Sequence, residues 1–309
     1  TNPVPFIISI AVSSNLQGAA TLVGDTTAIM LGSALDMTFM DFFWYQGKPS
    51  IFFAVELGAV LSALIVYFIF RKEKGAIPKA AEMTKVTDYV PTVLLVGAIA
   101  LLVCASFAPD SWNLPAEING LIACGMLIIG LIYNFAKNRN AESLLGPLKA
   151  IDLETLGLLV GLFLMIGGIT HEGVIDALAS LLAKVGGGNV FLLYTVIVWA
   201  SVLISAFIDN IPYVATMIPV IGGLASQMAP GLGVDATLVG IPLYFGLLSG
   251  ATLGGNCTPI GASANITGIG ILRKAGYEVQ NAGFFKIGIP FTMAAVIPAY
   301  ICLWLIFGV

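Results

Sequence analysis

Two polar stretches interrupt an otherwise apolar chain, and both carry groups that can hold ions. The first reads Ser205-Ala-Phe-Ile-Asp209-Asn210-Ile-Pro212, in the middle of the apolar run 190–228. An Asp at the centre of a membrane helix costs roughly 2.5–3.5 kcal/mol unless it is paired or wetted, and Pro212 removes a backbone donor as well. An ordinary surface loop would explain such residues. The alternative is a re-entrant hairpin whose tip lines a polar cavity, the one setting in which irregular backbone survives at that depth. The second stretch runs Gly250-Ala-Thr-Leu-Gly-Gly-Asn256-Cys-Thr258-Pro259-Ile-Gly261-Ala-Ser263-Ala-Asn265. Gly254, Gly255, Pro259 and Gly261 break a helix there and leave two half-helices. Freed carbonyls then coordinate a cation, while the helix opening near Ser263 turns its N-terminus toward an anion.

A third stretch repeats the second. Gly18, Thr21, Gly24 and Ile29 fall on Gly255, Thr258, Gly261 and Ile266 at a constant offset of 237, with Thr26 facing Ser263. Asp25 sits inside this copy as either a helix cap or a coupling group. Counting spans, the first broken helix runs inside to outside and the second outside to inside. Opposite directions mean an inverted repeat, and paired broken helices in two inverted halves mark a secondary transporter's binding site.

The elements that must position these groups are membrane helices. The 309 residues are 58% hydrophobic and 10% charged, with a mean hydropathy of +0.99, whereas soluble domains carry roughly 25% charge. Soluble enzymes, nucleic-acid binders and disordered chains are excluded. Apolar spans fall at about 51–70, 91–108, 116–135, 152–170, 190–208, 211–228, 236–254 and 283–308, with half-length helices at about 21–34 and 263–272. The fold class is therefore an all-α polytopic membrane protein. Its first apolar run, Pro3 to Val12, is too short to span, and the chain opens at Thr1, which points to a fragment cut inside a helix. The polar connection 71–90 divides residues 1–70 from residues 91–309. With that linker inside, all of the thirteen Lys and Arg except Lys48 and Lys184 lie on the cytoplasmic side, as the positive-inside rule requires.

The remaining polar residues have milder readings. Glu56, inside a span, either touches a dimer interface or snorkels to the outer surface. His171, the single histidine, cannot build a metal site and reads as interfacial, with a pH-sensing role as the alternative. Trp44, Tyr45, Trp112 and Trp304 read as interfacial anchors. Cys104, Cys124, Cys257 and Cys302 lie in apolar segments without metal-ligand spacing and read as core residues.

The stretches SNLQGAATLVGD (14–25), SAFIDNIPYVATMIPVI (205–221), GGNCTPIGASANITGIGI (254–271) and GYEVQNAGFFKIGIP (276–290) resemble the ion transporter superfamily. The likeness is nearest to the branch of arsenite-pump membrane subunits, the melanosomal P protein and bacterial anion or citrate permeases, and it is related to the divalent anion:sodium symporters. It implies two inverted halves, each with three helices, a hairpin, a broken helix and a closing helix. On that plan the first half's hairpin and preceding helices are absent from this chain. The second half has its horizontal arm at 171–186, its hairpin at 190–228, its broken helix at 236–272 and its closing helix at 283–308. The resemblance also implies a homodimer working by an elevator motion, with the arms and the early spans of each half as the fixed scaffold.

Carried over residue by residue, Asn210 matches the Asn of a Ser-Asn-Thr hairpin motif, and Ser205 matches the Ser four positions before it. Asp209 replaces the motif's Ser and Ile211 its Thr, which departs from the dicarboxylate pattern and suits a bound Na⁺ or a carried proton. The candidate binding residues are Asn15, Gly18, Thr21, Gly24, Asp25, Thr26, Ser205, Asp209, Asn210, Pro212, Gly255, Asn256, Thr258, Pro259, Gly261, Ser263 and Asn265. No cofactor is implied beyond a Na⁺ near Ser205, Asp209, Asn210 and Asn256. No Lys or Arg lies near the tips, so an anion must be held by helix N-termini, amides, hydroxyls and a co-bound cation.

Two transport functions follow: a secondary carrier of an anion or oxyanion driven by Na⁺ or H⁺, or a Na⁺/H⁺ antiporter. A separate ATPase partner, as in the arsenite branch, stays open. The expected setting is a bacterial or archaeal inner membrane. An enzyme is disfavoured, because the chain has no nucleophile–base pair, no metal cluster and no nucleotide loop. A non-transporting structural protein would not require polar residues at paired helix breaks.

Overall fold

The structure is a computed structural model that describes residues 2–72, 87–112, 114, 115, 117–140 and 142–309, with the backbone alone at Asp110. Most of the linker expected over 71–90 lies outside the described residues. The chain forms two compact units. The larger holds the described residues of 1–37, 42–75 and 162–309, and the smaller those of 38–41 and 76–161.

In the larger unit, helix α1 (Val4–Gly18) leads through a tight turn to α2 (Thr26–Ala34). The turn closes because Gly24 has no side chain: a Cβ there would lie 2.5 Å from the Gly18 carbonyl oxygen. The half-helix expected at 21–34 therefore starts only at Thr26, since residues 19–25 are spent on the turn. A two-residue hairpin, Trp44–Tyr45 with Lys48–Pro49, precedes α3 (Ile51–Phe70). At about 1.5 Å per residue, α3 is about 30 Å long, the thickness of a bilayer core.

The rest of that unit follows α7 (Leu153–His171), which belongs partly to each unit. Helix α8 (Val174–Gly186) turns by 118° into α9 (Val190–Ser205) through Gly187 and Gly188, both at positive φ. Then come α10 (Asn210–Leu232), α11 (Ala236–Gly254) with a 3₁₀ turn at Gly255–Cys257, α12 (Ser263–Lys274) and α13 (Asn281–Phe307). Six described helices are long and apolar enough to span. Two of the eight expected spans are shorter: α9 has 16 residues, and α4 (Val90–Ser106) in the smaller unit has 17. Over the stretch where the arm is expected, α8 begins at Val174 because Gly173, at φ +74°, ends the preceding turn. It packs on the hairpin helix α10, where Ala179 meets Gly223, so α8 belongs to the hairpin's unit.

Glycines set the closest helix contacts. Gly246, Gly250 and Gly254 of α11 face α9, and a Cβ at Gly250 would lie 2.6 Å from the Val198 carbonyl oxygen. Gly250 meets Val198 and Gly254 meets Val202, so the two helices run parallel in register. Helices α3 and α13 run the other way. Gly58 abuts Ala295, and four residues later the Ser62 hydroxyl donates to the Phe291 carbonyl at 3.0 Å, four residues earlier on the partner. A groove of about 240 Å³ is lined by Ser13, Leu16, Gln17, Ala59, Ala63 and Phe291. At the end of α13, Lys48 donates to the Ile306 carbonyl at 2.9 Å, neutralising one of the free carbonyls that every helix end presents.

The smaller unit packs α4 against α5 (Ile118–Asn138), followed by the short α6 (Glu142–Lys149), which the apolar pattern does not announce. Asp88, just before α4, accepts from Lys137 at 2.5 Å and from the Tyr133 hydroxyl. The Lys137 bond, aided by the Val90 amide, holds the Asp88 carboxyl below its ordinary value.

Of the expected anchors, Trp44 and Trp112 are exposed, whereas Trp304 packs on the rings of Phe191 and Tyr194. His171 is exposed and lies 3.7 Å from the Glu172 carboxylate.

Candidate functional site

Three irregular segments meet within the larger unit: the turn 19–25, the hairpin tip 206–209 and the break 255–262. Each exists for a local reason. Asp25 caps α2, its Oδ1 accepting from the Thr26 amide at 2.7 Å. Asp209 caps α10, its Oδ1 accepting from the Ile211 amide at 2.9 Å. Such caps satisfy backbone donors that the first turn of a helix leaves free. At the second break Gly255 and Gly261 cross so closely that a Cβ on either would lie 2.5–2.6 Å from the other's carbonyl oxygen. Ser263 then opens α12 with no side-chain cap, its N-cap being Ala262.

Polar side chains tie the segments together. The Asn210 amide of the hairpin donates to Asp25 Oδ2 at 3.2 Å, and the Thr27 hydroxyl donates to the same oxygen at 3.2 Å. Thr27 also lies 3.0 Å from the Thr252 hydroxyl of α11, and both threonines are fully buried. Asn15 of α1 donates to the Thr252 carbonyl at 2.7 Å and to Asn256 Oδ1 at 3.1 Å, while Asn256 donates back to the Val12 carbonyl at 3.0 Å. From the other side, the Ser205 hydroxyl donates to the Ala251 carbonyl at 2.6 Å, and the Thr258 hydroxyl donates to the Ala206 carbonyl. Asn265 donates to the carbonyls of Gly255 and Thr258, at 3.0 and 2.9 Å. Its own Oδ1 is buried without a partner.

The site thus gathers Asn15, Asp25, Thr26, Ser205, Asn210, Asn256, Thr258 and Asn265, with Gly18, Gly24, Gly255 and Gly261 making the close approaches. Thr21, Pro212 and Pro259 are half-buried beside it, and Ser263 is exposed at the head of α12. Asp209 is exposed, and the residue that faces the first break is its neighbour Asn210. Among the described residues no hydrogen bond joins Ser205, Asp209, Asn210 and Asn256 to one another. Ser205 and Asn256 turn their donors to the backbone of adjacent helices. Thr27 and Thr252 are the polar residues that sequence reasoning missed. A signal existed: Thr252 is offset from Asn15 by the repeat distance of 237, so any contact between equivalent positions would have picked it out.

Chemically, the arrangement offers a carboxylate, amide oxygens and freed carbonyls to a cation, and one uncapped helix N-terminus to an anion. No group of three His, Cys, Asp or Glu that could hold a metal ion occurs among the described residues. Residues 2–47 and 185–272 contain no Lys or Arg.

Spanning helices interrupted by polar breaks and a sharply bent helix pair define an all-α polytopic membrane protein with the build of a transporter. The chain belongs to the citrate transporter family CitMHS, whose profile matches residues 1–241. It is 32% identical over 305 residues to an uncharacterized transporter of Mycobacterium bovis, covering 98% of this chain and 68% of that protein. An uncharacterized transporter of Synechocystis is 30% identical over 319 residues, covering 98% of this chain and 69% of its own. The P protein of Mus musculus is 38% identical over 148 residues, 46% of this chain and 17% of that protein. The expected likeness to the citrate permease and P protein branch is therefore found.

Proposed function

We propose that the full-length protein is a secondary active carrier of an anion or oxyanion, with a carboxylate such as citrate as the leading substrate class, coupled to Na⁺ or H⁺. The observation that carries this reading is the meeting of the hairpin tip with both helix breaks, through Asn210–Asp25 and Thr258–Ala206. Transporters bind at such junctions because broken helices supply both free carbonyls for cations and free amides for anions.

An inverted repeat related by the offset of 237 is part of the proposal. Two contacts pair equivalent positions with each other, Asn15 with Thr252 and Gly58 with Ala295. Self-pairing of equivalents is expected where a twofold axis passes, and the antiparallel run of α3 and α13 fits an axis in the membrane plane. The groove residues Ser13, Gln17 and Ala63 correspond to Gly250, Gly254 and Tyr300, which hold α9 in the second half. That groove is the place the repeat gives to a first-half hairpin.

Alternating access in this reading is an elevator motion of the hairpin and broken helices. The grouping of α4, α5 and α6 in a different compact unit from the one that holds the site supports it. The assembly in this reading is a homodimer in a bacterial or archaeal inner membrane, and a separate ATPase partner stays open.

Uptake by the full-length protein in proteoliposomes tests the reading, with citrate, succinate, sulfate and arsenite offered under an imposed Na⁺ or H⁺ gradient. Accumulation that follows one gradient is expected. Cation-driven pH change without anion uptake would favour a Na⁺/H⁺ antiporter instead. That second reading has one observation behind it, since the charged groups at the tips are the carboxylates Asp25 and Asp209 and no cation balances them in sequence nearby.

A further inference from the structure

We propose that the seam between α3 and α13 holds the headgroup of an anionic phospholipid, bound by Arg71 and Lys286 in the leaflet at the end where α3 stops and α13 starts. The inference is independent of the transport reading, since neither residue belongs to the candidate binding site.

The register of the two helices sets the depth of each group. Gly58 meets Ala295 and Ser62 meets Phe291, so a step of four along α3 is matched by four back along α13. Continued to the end of α3, this brings Tyr67 level with Lys286 and Phe68 level with Phe285. Arg71, the residue after α3, folds back toward the helix: its guanidinium carbon lies 5.4 Å from the centre of the Phe68 ring. The two cations therefore stand at one depth on neighbouring helices.

No protein carboxylate balances them. The ion pairs among the described residues are Lys137–Asp88 and His171–Glu172. Helices α1, α12 and α13 contain no Asp or Glu, and α3 has only Glu56, about 22 Å along the helix from Arg71 at about 1.5 Å per residue. Residues 73–86, which follow in sequence, add three Lys and two Glu. Basic residues that end a helix are accounted for by its dipole, and Arg273 and Lys274 in the last turn of α12 are of that kind. Lys286 is not. It lies in the second turn of α13, nearer the positive end of that helix, and it is exposed. A lone lysine there could simply reach the membrane surface, but a second cation at the same depth repels it unless an anion sits between them.

The surface next to the pair identifies the anion. Toward the membrane centre, Val60 and Leu64 of α3 and Ile289 of α13 are exposed, and Leu64 is level with Ile289 in the same register. Acyl chains fit along this apolar strip, for which a soluble phosphate has no use. The Tyr67 hydroxyl, on a side chain 64% exposed at the depth of the cations, offers the headgroup a further donor. Guanidinium matches phosphate with paired N–H donors, and basic clusters between helices attract anionic lipid headgroups.

Native mass spectrometry of the full-length protein, titrated in detergent with palmitoyl-oleoyl phosphatidylglycerol or the matching phosphatidylcholine, tests the site. The wild type is expected to retain phosphatidylglycerol in preference. Arg71→Gln and Lys286→Gln should each lower that preference about fivefold, and the double variant should abolish it, whereas Arg71→Lys with Lys286→Arg should keep it. Arg273→Gln with Lys274→Gln should leave it unchanged. Glycerophosphoglycerol, the same headgroup without chains, should not compete at equal concentration. In nanodiscs, Tyr67→Trp should be quenched more by brominated phosphatidylglycerol than by brominated phosphatidylcholine at equal mole fraction, and adding Arg71→Gln and Lys286→Gln should remove the difference. Equal retention of the two lipids by the wild type would overturn the proposal. So would a preference that survives the double Gln variant, or one that falls as far in Arg273→Gln with Lys274→Gln. Competition by the chainless headgroup would make this a soluble-phosphate site and overturn the lipid assignment.

Discussion

Gly58 of α3 lies directly against the backbone of Ala295 in α13, where a Cβ would stand 2.6 Å from the carbonyl oxygen and 3.0 Å from Cα. Backbone cannot swing aside as a flexible side chain does, so the helices must separate to admit even a methyl group. Gly58→Ala is expected to cost about 1–3 kcal/mol, the usual range for overpacking. Thermal unfolding in detergent should show a lowered Tm for this variant. The control is Gly120→Ala in α5, where nothing lies within 4 Å of the added Cβ, and its Tm should stay unchanged or rise.

The same reasoning applies at the hairpin. A Cβ at Gly254 would lie 2.6 Å from Val202 Cα, so Gly254→Ala should prise α9 from α11 and loosen the tip. Limited proteolysis should cleave the variant faster than wild type near residues 206–209. Unchanged cleavage would mean that α9 is held by other contacts, such as the Tyr194 hydroxyl bond to the Tyr300 carbonyl at 2.7 Å.

Asn15 and Asn256 should be energetically coupled. Asn15→Ala strands the buried Oδ1 of Asn256 and the Thr252 carbonyl, and an unsatisfied buried polar group costs about 1–3 kcal/mol. In a double-mutant cycle with Asn256→Ala, a coupling of about 0.5–3 kcal/mol is expected for residues in one network. Additive effects would place the two side chains in separate environments.

How much of this was legible in the sequence can be judged from these residues. The breaks themselves were, because Gly254, Gly255, Pro259 and Gly261 crowd four helix-weakening residues into eight positions, and the offset of 237 tied Gly24 to Gly261 before any contact was known. Orientation within the site was not. Asp209 and Asn210 are adjacent, and a one-residue difference at a helix start decides which faces the neighbouring break; Asp209 takes the cap and Asn210 the contact. Thr27 and Thr252 did not stand out by residue type, because a threonine in an apolar helix commonly bonds its own backbone, as Thr292 does to the Gly288 carbonyl. Helix α6 was missed because it is too short and too polar to carry a span's pattern.

In the smaller unit, Asp88 should report on pH. Its carboxyl is held below the ordinary Asp value chiefly by the Lys137 bond. A group depressed on folding adds stability that is present in full above its unfolded value, about 3.9, and is lost as pH falls through the folded one. The Tm difference between wild type and Asp88→Asn should therefore be constant near neutrality and close below about pH 4. Because Asp88 and Lys137 sit at the solvent, the difference should be small and should shrink in high salt.

The most direct measurement of the central claim is gradient-driven accumulation of labelled citrate by the full-length protein in proteoliposomes, comparing wild type with Asn210→Ala at equal reconstituted amounts. The account predicts accumulation above equilibrium under a Na⁺ or H⁺ gradient, reduced about tenfold or more in the variant, since about 1.4 kcal/mol at the site corresponds to tenfold in rate. Citrate accumulation that is undiminished in Asn210→Ala, or absent under both gradients, would contradict it.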